Sequence, residues 1–100
     1  MTAFNIVRFL VKAGQDEAFL DAHRSGKANW PGLLDGHIIK TGEQTYCLIG
    51  RWPSQSAMSE AMPAMIATLN SFRDTLEDQG PGKGLTDAVS GGVVLDLKGG

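Results

Sequence analysis

Few side chains in this sequence can do chemistry, and the most capable of them is His23. Its spacing places it between Phe19 and Gly26 on the apolar stripe of a helix. There a neutral imidazole can take a proton from a phenol or return one, with a pKa that responds to burial. The same spacing suits a histidine bonded to a backbone carbonyl at the edge of the core. Trp30 and Trp52 offer broad rings and an N–H to a flat aromatic ligand, with Phe19 as a further apolar wall; plain packing at element boundaries is the alternative. Tyr46 alternates with Leu48, Gly50 and Trp52 on one strand face, so its hydroxyl either positions a substrate or meets water at the sheet end. Asn5 and Asn29 are neutral amides able to hydrogen-bond a phenolate or oxyanion without adding a charge. Asn5 would share a face with Val7 and Phe9, unless it simply sits near solvent at the start of the strand. Met58, Met62 and Met65 form either an adaptable pocket wall or ordinary core at helical spacing. His37 suits a surface or interface position, and Arg8 a rim ion pair.

Other chemistries lack their residues. Two separated histidines and one strand cysteine make no recognisable metal-ligand set, so no metal is expected. There is no GxGxxG and no nucleophile elbow. Gly80-Pro81-Gly82-Lys83-Gly84 lacks the spacer, the following Ser or Thr and the preceding strand of a phosphate-binding loop. A net charge of −2 supplies no basic field for nucleic acid. The longest apolar runs are strand-sized, so no membrane partner is expected. The opening residues do not form a signal peptide and Cys47 has no partner for an internal disulfide, which makes the cytoplasm the expected location.

The elements that must position these residues follow from periodicity. Residues 1–100 read as one domain, with 42% hydrophobic and 20% charged residues, ordinary values for a globular protein. Residues 3–12 form a strand apolar on both faces, with Phe4, Ile6 and Leu10 on one side and Val7, Phe9 and Val11 on the other. Such a strand needs cover on both sides, most economically from helices on one and a second copy of the sheet on the other. A helix is expected from Gln15 toward Trp30, stopped by Pro31-Gly32. Strands follow at 33–41 and 44–52 around a Gly42-Glu43 turn. Ser54 is a good N-cap for a second helical region whose stripe runs Met58, Met62, Met65, Leu69, Phe72, Leu76, interrupted at Pro63. A long loop at 79–92 then leads to a last strand at 93–97. The order β-α-β-β-α-β is the split βαβ, ferredoxin-like α+β pattern with a four-stranded antiparallel sheet.

Several stretches together resemble small proteins of the antibiotic biosynthesis monooxygenase type. They are the first strand closing on Val11-Lys12-Ala13-Gly14-Gln15, the helix with Phe19-Leu20 and Ala22-His23, the Pro31-Gly32-Leu33 lead into the second strand, and Tyr46-Cys47-Leu48-Ile49-Gly50-Arg51-Trp52 running into Ser54. The resemblance spans roughly the whole domain and is architectural. It implies a homodimeric α+β barrel in which two sheets pack face to face and each subunit keeps a pocket between its own sheet and helices. Some members of this family oxidise polyphenols or quinols with molecular oxygen and no metal or prosthetic group, and others degrade haem. The haem-degrading members carry a tryptophan and a histidine on the second helix, whereas residues 58–76 here contain neither, and Asn5 stands off the expected first-strand position. Haem chemistry is therefore not expected.

The expected function is a cofactor-independent monooxygenase acting on a small aromatic compound. His23 would serve as base or hydrogen-bond donor, Trp52, Trp30, Tyr46, Phe19 and Met62 would shape the cavity, and Asn5 would stabilise an anion. The alternative is a dimeric small-molecule binding or stress-response module without catalysis, which the sparse titratable residues also suit.

Overall fold

In the computed structural model, which describes residues 1–24, 29–81 and 84–98, alternation along the first strand sets the layering. In β1 (Ala3–Leu10), Ala3, Asn5 and Phe9 are buried, Phe4, Ile6 and Leu10 are half-buried, and Arg8 is exposed. β1 pairs antiparallel with β3 (Thr45–Trp52), from Ala3 opposite Trp52 to Leu10 opposite Thr45. β2 (Asp35–Lys40) flanks β3, and β4 (Asp87–Gly92) flanks β1, giving the order β2-β3-β1-β4 with every pairing antiparallel. This is the expected ferredoxin-like α+β arrangement. The helices cover one face, where Trp52, Phe19 and Val11 are the largest fully buried side chains.

The last strand differs from expectation. It lies at Asp87–Gly92, inside the segment read as loop, and Val94, Leu95 and Leu97 are 95%, 72% and 93% exposed. Alanine, serine and two glycines make a weak strand by composition. Pairing with the fully laddered β1, from Asp87 opposite Arg8 to Gly92 opposite Ala3, overrides that preference, and the ladder ends where the Val93 N–H donates to the Thr2 carbonyl at 2.8 Å.

The first helix is also shorter than its stripe. α1 (Asp16–Asp21) has acidic Asp16 and Glu17 in its first turn but no side-chain N-cap bond. The chain then tightens into turns, with His23 N–H donating to the Leu20 carbonyl and Arg24 N–H to the Asp21 carbonyl. His23 therefore sits just beyond the helix. Gly26, assigned to the same stripe, lies outside the described residues, as do Gly82 and Lys83 of the glycine-rich run. Trp30 leaves the helical path altogether. Its carbonyl accepts from Leu33 N–H at 3.2 Å across a tight turn in which Pro31 is followed by Gly32 at φ 88°, the left-handed position such a turn assigns to glycine.

The second helical region breaks at Pro63 as its ring requires. α2 (Gln55–Glu60) and α3 (Met62–Phe72) meet at Ala61, with Pro63 in the first turn of α3, and a 3-10 turn (Arg73–Thr75) follows. Ser54 Oγ accepts from the Ala57 N–H at 3.1 Å. Ser54→Ala should cost about 1 kcal/mol of unfolding free energy in a urea titration. An unchanged midpoint would mean that this cap is not limiting.

The other sheet face is uncovered in the single chain. Register places Phe4, Ile6, Leu10, Cys47, Ile49, Ile39 and Val89 there, between the ion pairs Arg8–Asp87 (3.1 Å) and Arg51–Asp35 (2.6 Å). His37 is exposed on the same face. Among the described residues no helix is long and apolar enough to cross a membrane.

Candidate active site

One row of the sheet creates the site. Asn5 on β1 stands opposite Gly50 on β3, which stands opposite Gly36 on β2. Gly50 leaves space that a bulkier strand residue would fill, and the Asn5 side chain uses it, while Leu33 packs over Gly36. A Cβ at Gly50 would collide with Asn5 Oδ1 and lie 3.2 Å from Trp52 Nε1. A glycine inside a strand rich in bulky residues is the sequence signal for this close approach.

The Asn5 amide has one possible orientation. Trp52 Nε1–H is only a donor, so the atom it meets at 2.7 Å must be the Asn5 oxygen. The amide nitrogen then points the other way, toward Met65, whose sulfur lies 3.8 Å from Nδ2. Asn5 is 8% exposed and Trp52 fully buried, so the pair is locked by packing as well as by the hydrogen bond. Nδ2 faces a cavity of about 350 Å³ between the sheet and α2 and α3, near the lower end of the range for small-molecule pockets.

His23 reaches the same cavity from beyond α1. Its Nδ1 lies 2.9 Å from the Phe19 carbonyl, which can only accept, so Nδ1 carries the proton and Nε2 is left as a proton acceptor. Phe9, Phe19 and Phe72 surround the ring, the nearest centroid being that of Phe72 at 4.6 Å. Burial among them pushes the His23 pKa below the ordinary histidine value, and the hydrogen bond to Phe19 only partly offsets this. The imidazole is neutral at pH 7.

The remaining wall is apolar. Phe9, Trp30, Leu48, Met58, Met62, Met65 and Phe72 contribute, and no Asp, Glu, Lys or Arg lines the cavity among the described residues. Trp30 is held by Nε1–H donating to Thr68 Oγ1 at 2.9 Å, while the Thr68 hydroxyl donates to the Ala64 carbonyl. Met62 and Ile66, both 47% exposed, bring the rim to the surface.

Of the residues singled out from the sequence, His23, Asn5, Trp30, Met58, Met62 and Met65 meet at this cavity. Three others are corrected: Phe19, Tyr46 and Trp52 do not line it. Phe19 is fully buried beneath His23, in edge contact with Phe9 and Phe72 at 5.1 and 5.4 Å. Tyr46 donates its hydroxyl proton to Asp16 Oδ2 at 2.5 Å, near Lys40, and that carboxylate raises the phenol pKa. Its strand face points to the helices, but at the α1 end of the sheet. Trp52 acts on the cavity only through Asn5. Asn29 is exposed and not part of the wall. Thr68, Ser59, Thr86 and Ser90, which add hydroxyls, carried no signal in the sequence. No cluster of three or more His, Cys, Asp or Glu able to hold a metal ion is found among the described residues.

The topology and the cavity between sheet and helices define the class: a ferredoxin-like α+β domain with an apolar site open at its rim. Among solved structures the chain has the fold of the antibiotic biosynthesis monooxygenase type. A provisionally named antibiotic biosynthesis monooxygenase from Nitrosomonas europaea superposes with a TM-score of 0.73 at 17% identity, covering 93% of this chain and 90% of that one. SnoaB, a cofactor-independent oxygenase from Streptomyces nogalater, gives a TM-score of 0.70 at 14% identity over 97% of both chains. A protein of unknown function from Nitrosomonas europaea gives 0.72 at 19% identity, covering 95% of this chain and 91% of that one. No protein-family model matches the chain, and no curated protein matches it significantly. At these identities the likeness is one of fold.

Proposed function

We propose that the protein is a cofactor-independent monooxygenase for a small phenolic or quinol-like compound bound between the sheet and α2 and α3. The observation that carries this reading is the pairing, in one uncharged cavity, of an oriented amide donor on Asn5 with an unprotonated Nε2 on His23. A phenol gives its proton to Nε2, and the phenolate oxygen accepts from Asn5 Nδ2–H. An anion in such apolar surroundings is a strong reductant, and a hydrogen bond there is worth more than in water. The overall change, phenol plus oxygen to quinone plus water, balances in atoms and electrons with the substrate as the only reductant. One oxygen atom enters the ring, and the other leaves as water with two substrate hydrogens.

Oxygen uptake with 1-naphthol as probe tests this reading. Equimolar loss of oxygen and gain of naphthoquinone is expected. Quenching of tryptophan fluorescence without oxygen uptake would instead favour a binding module, and neither signal would reject small aromatics as the ligand class.

The second half of the reading is a homodimer built by the uncovered sheet faces. Phe4, Ile6, Leu10, Ile39, Ile49 and Val89 share this face, half-buried or exposed, and a contiguous apolar face of this kind marks an interaction surface. A two-fold axis lets the same face cover itself. Sedimentation at micromolar protein should give a dimer, and Ile49→Lys should shift it to monomer. A wild-type monomer would remove the barrel. The cytoplasm is the compartment that suits a free Cys47.

A further inference from the structure

We propose that Met65 is an oxidation site through which peroxide switches off the cavity's amide donor. The inference goes beyond the oxygenase reading and does not depend on it. Because Trp52 holds Asn5 Oδ1, the Nδ2–H2 group is committed to the Met65 side, where the acceptor is a thioether at 3.8 Å. A thioether accepts weakly, so a buried amide donor is left poorly satisfied.

Oxidation corrects that mismatch without moving the backbone. A sulfoxide with an S–O bond of about 1.5 Å and an N–H···O distance of about 2.9 Å, meeting at about 120°, spans about 3.9 Å from sulfur to nitrogen. The observed separation is 3.8 Å. That separation is the one an S–O···H–N bridge between the two groups requires. Met58 and Met62 share the wall, but neither sulfur meets a polar group among the described residues. Met62 is also 47% exposed, where a sulfoxide would be solvated by water.

The step uses hydrogen peroxide as oxidant. The Met65 sulfur attacks one peroxide oxygen, the O–O bond breaks as the S–O bond forms, and the released hydroxide takes the remaining proton to leave as water. Sulfur loses two electrons and peroxide gains them. The sulfoxide oxygen then accepts the Asn5 N–H that faces Met65 and stands beside the second, where its partial negative charge repels a ligand anion, and a polar oxygen replaces apolar wall. Methionine sulfoxide reductases reverse the change.

The experiment titrates uniformly 15N-labelled protein with hydrogen peroxide, following each methionine by peptide mass spectrometry and the Asn5 side-chain amide by NMR. Conversion of Met65 should move the Asn5 amide proton signals downfield in the wild type and in Met62→Leu, and not in Met65→Leu. Treatment of the oxidised wild type with methionine sulfoxide reductases should return them, a readout that does not rely on any variant folding. The proposal is overturned if Met65 stays reduced after Met1 and Met62 are fully converted. It is equally overturned if Met65 oxidises while the Asn5 signals stay in place. None of these readouts uses turnover, so a protein without oxygenase activity can still confirm the switch, and an active one can still refute it.

Discussion

His23→Ala is expected to lower turnover of a phenolic substrate about 100-fold or more, the scale on which a positioned base contributes. The expectation rests on the tautomer. Phe19 holds the proton on Nδ1, so Nε2 is the basic atom in every neutral His23 ring. His23→Gln retains some hydrogen bonding but loses the titration, so its residual rate should not vary with pH near neutrality. In the wild type, burial lowers the His23 pKa, and the base is neutral above that lowered value. The acid limb of kcat/KM should therefore fall below about pH 6.5. The sign for stability is the same. A histidine with a depressed folded-state pKa contributes stability that is fully present above the unfolded value and is lost as pH falls through the folded one. If both variants turn over at the wild-type rate with the acid limb unchanged, His23 is structural, and the proton goes elsewhere.

Trp52 should show the second large effect, although it never touches the cavity. Trp52→Ala removes a fully buried ring and is expected to cost about 3–5 kcal/mol. Trp52→Phe is the sharper test. It keeps most of the packing but leaves Asn5 Oδ1 buried without its donor, for about 1–3 kcal/mol. The freed amide can then flip, and a phenolate would meet oxygen instead of N–H. Binding of a naphthol should weaken about tenfold or more, since a flip exchanges attraction for repulsion at one hydrogen bond. Gly50→Ala should act in the same direction by pushing Asn5 out of its niche, with a packing cost of about 1–3 kcal/mol. Unchanged naphthol affinity in both Trp52→Phe and Gly50→Ala would show that the Asn5 amide is not a ligand contact.

The uncovered sheet face was already legible in the alternation of residues 3–11, because a strand apolar on both sides demands two covering layers whatever the tertiary detail. The break at Pro63 and the cap at Ser54 were legible for the same kind of reason: each follows from local covalent chemistry. The last strand was not. Val93, Val94, Leu95 and Leu97 have the better intrinsic strand character, yet the ladder forms over Asp87–Gly92. Strand propensity is a weak preference of about 1 kcal/mol across its whole scale, and hydrogen bonding to a buried neighbour outweighs it.

The candidate site divides along the same line. His23, Asn5, Trp30 and Met62 could be picked from their types and periodic positions, since the alternation of a strand and the repeat of a helix assign each residue a face. Phe19, Tyr46 and Trp52 had equally good faces and still fell outside the cavity. A face says which layer a side chain enters, not how far along the layer it lies or which partner takes its polar atom. By itself the sequence determined the element order, the two-sided sheet and the scarcity of charge among residues fit for a site. Only the tertiary structure decided that Gly50 makes room for Asn5, that Trp52 turns the amide nitrogen inward, and that Phe19 fixes the tautomer of His23. The first and second of these join residues far apart in the chain, and all three depend on distances of a few ångströms that periodicity does not encode.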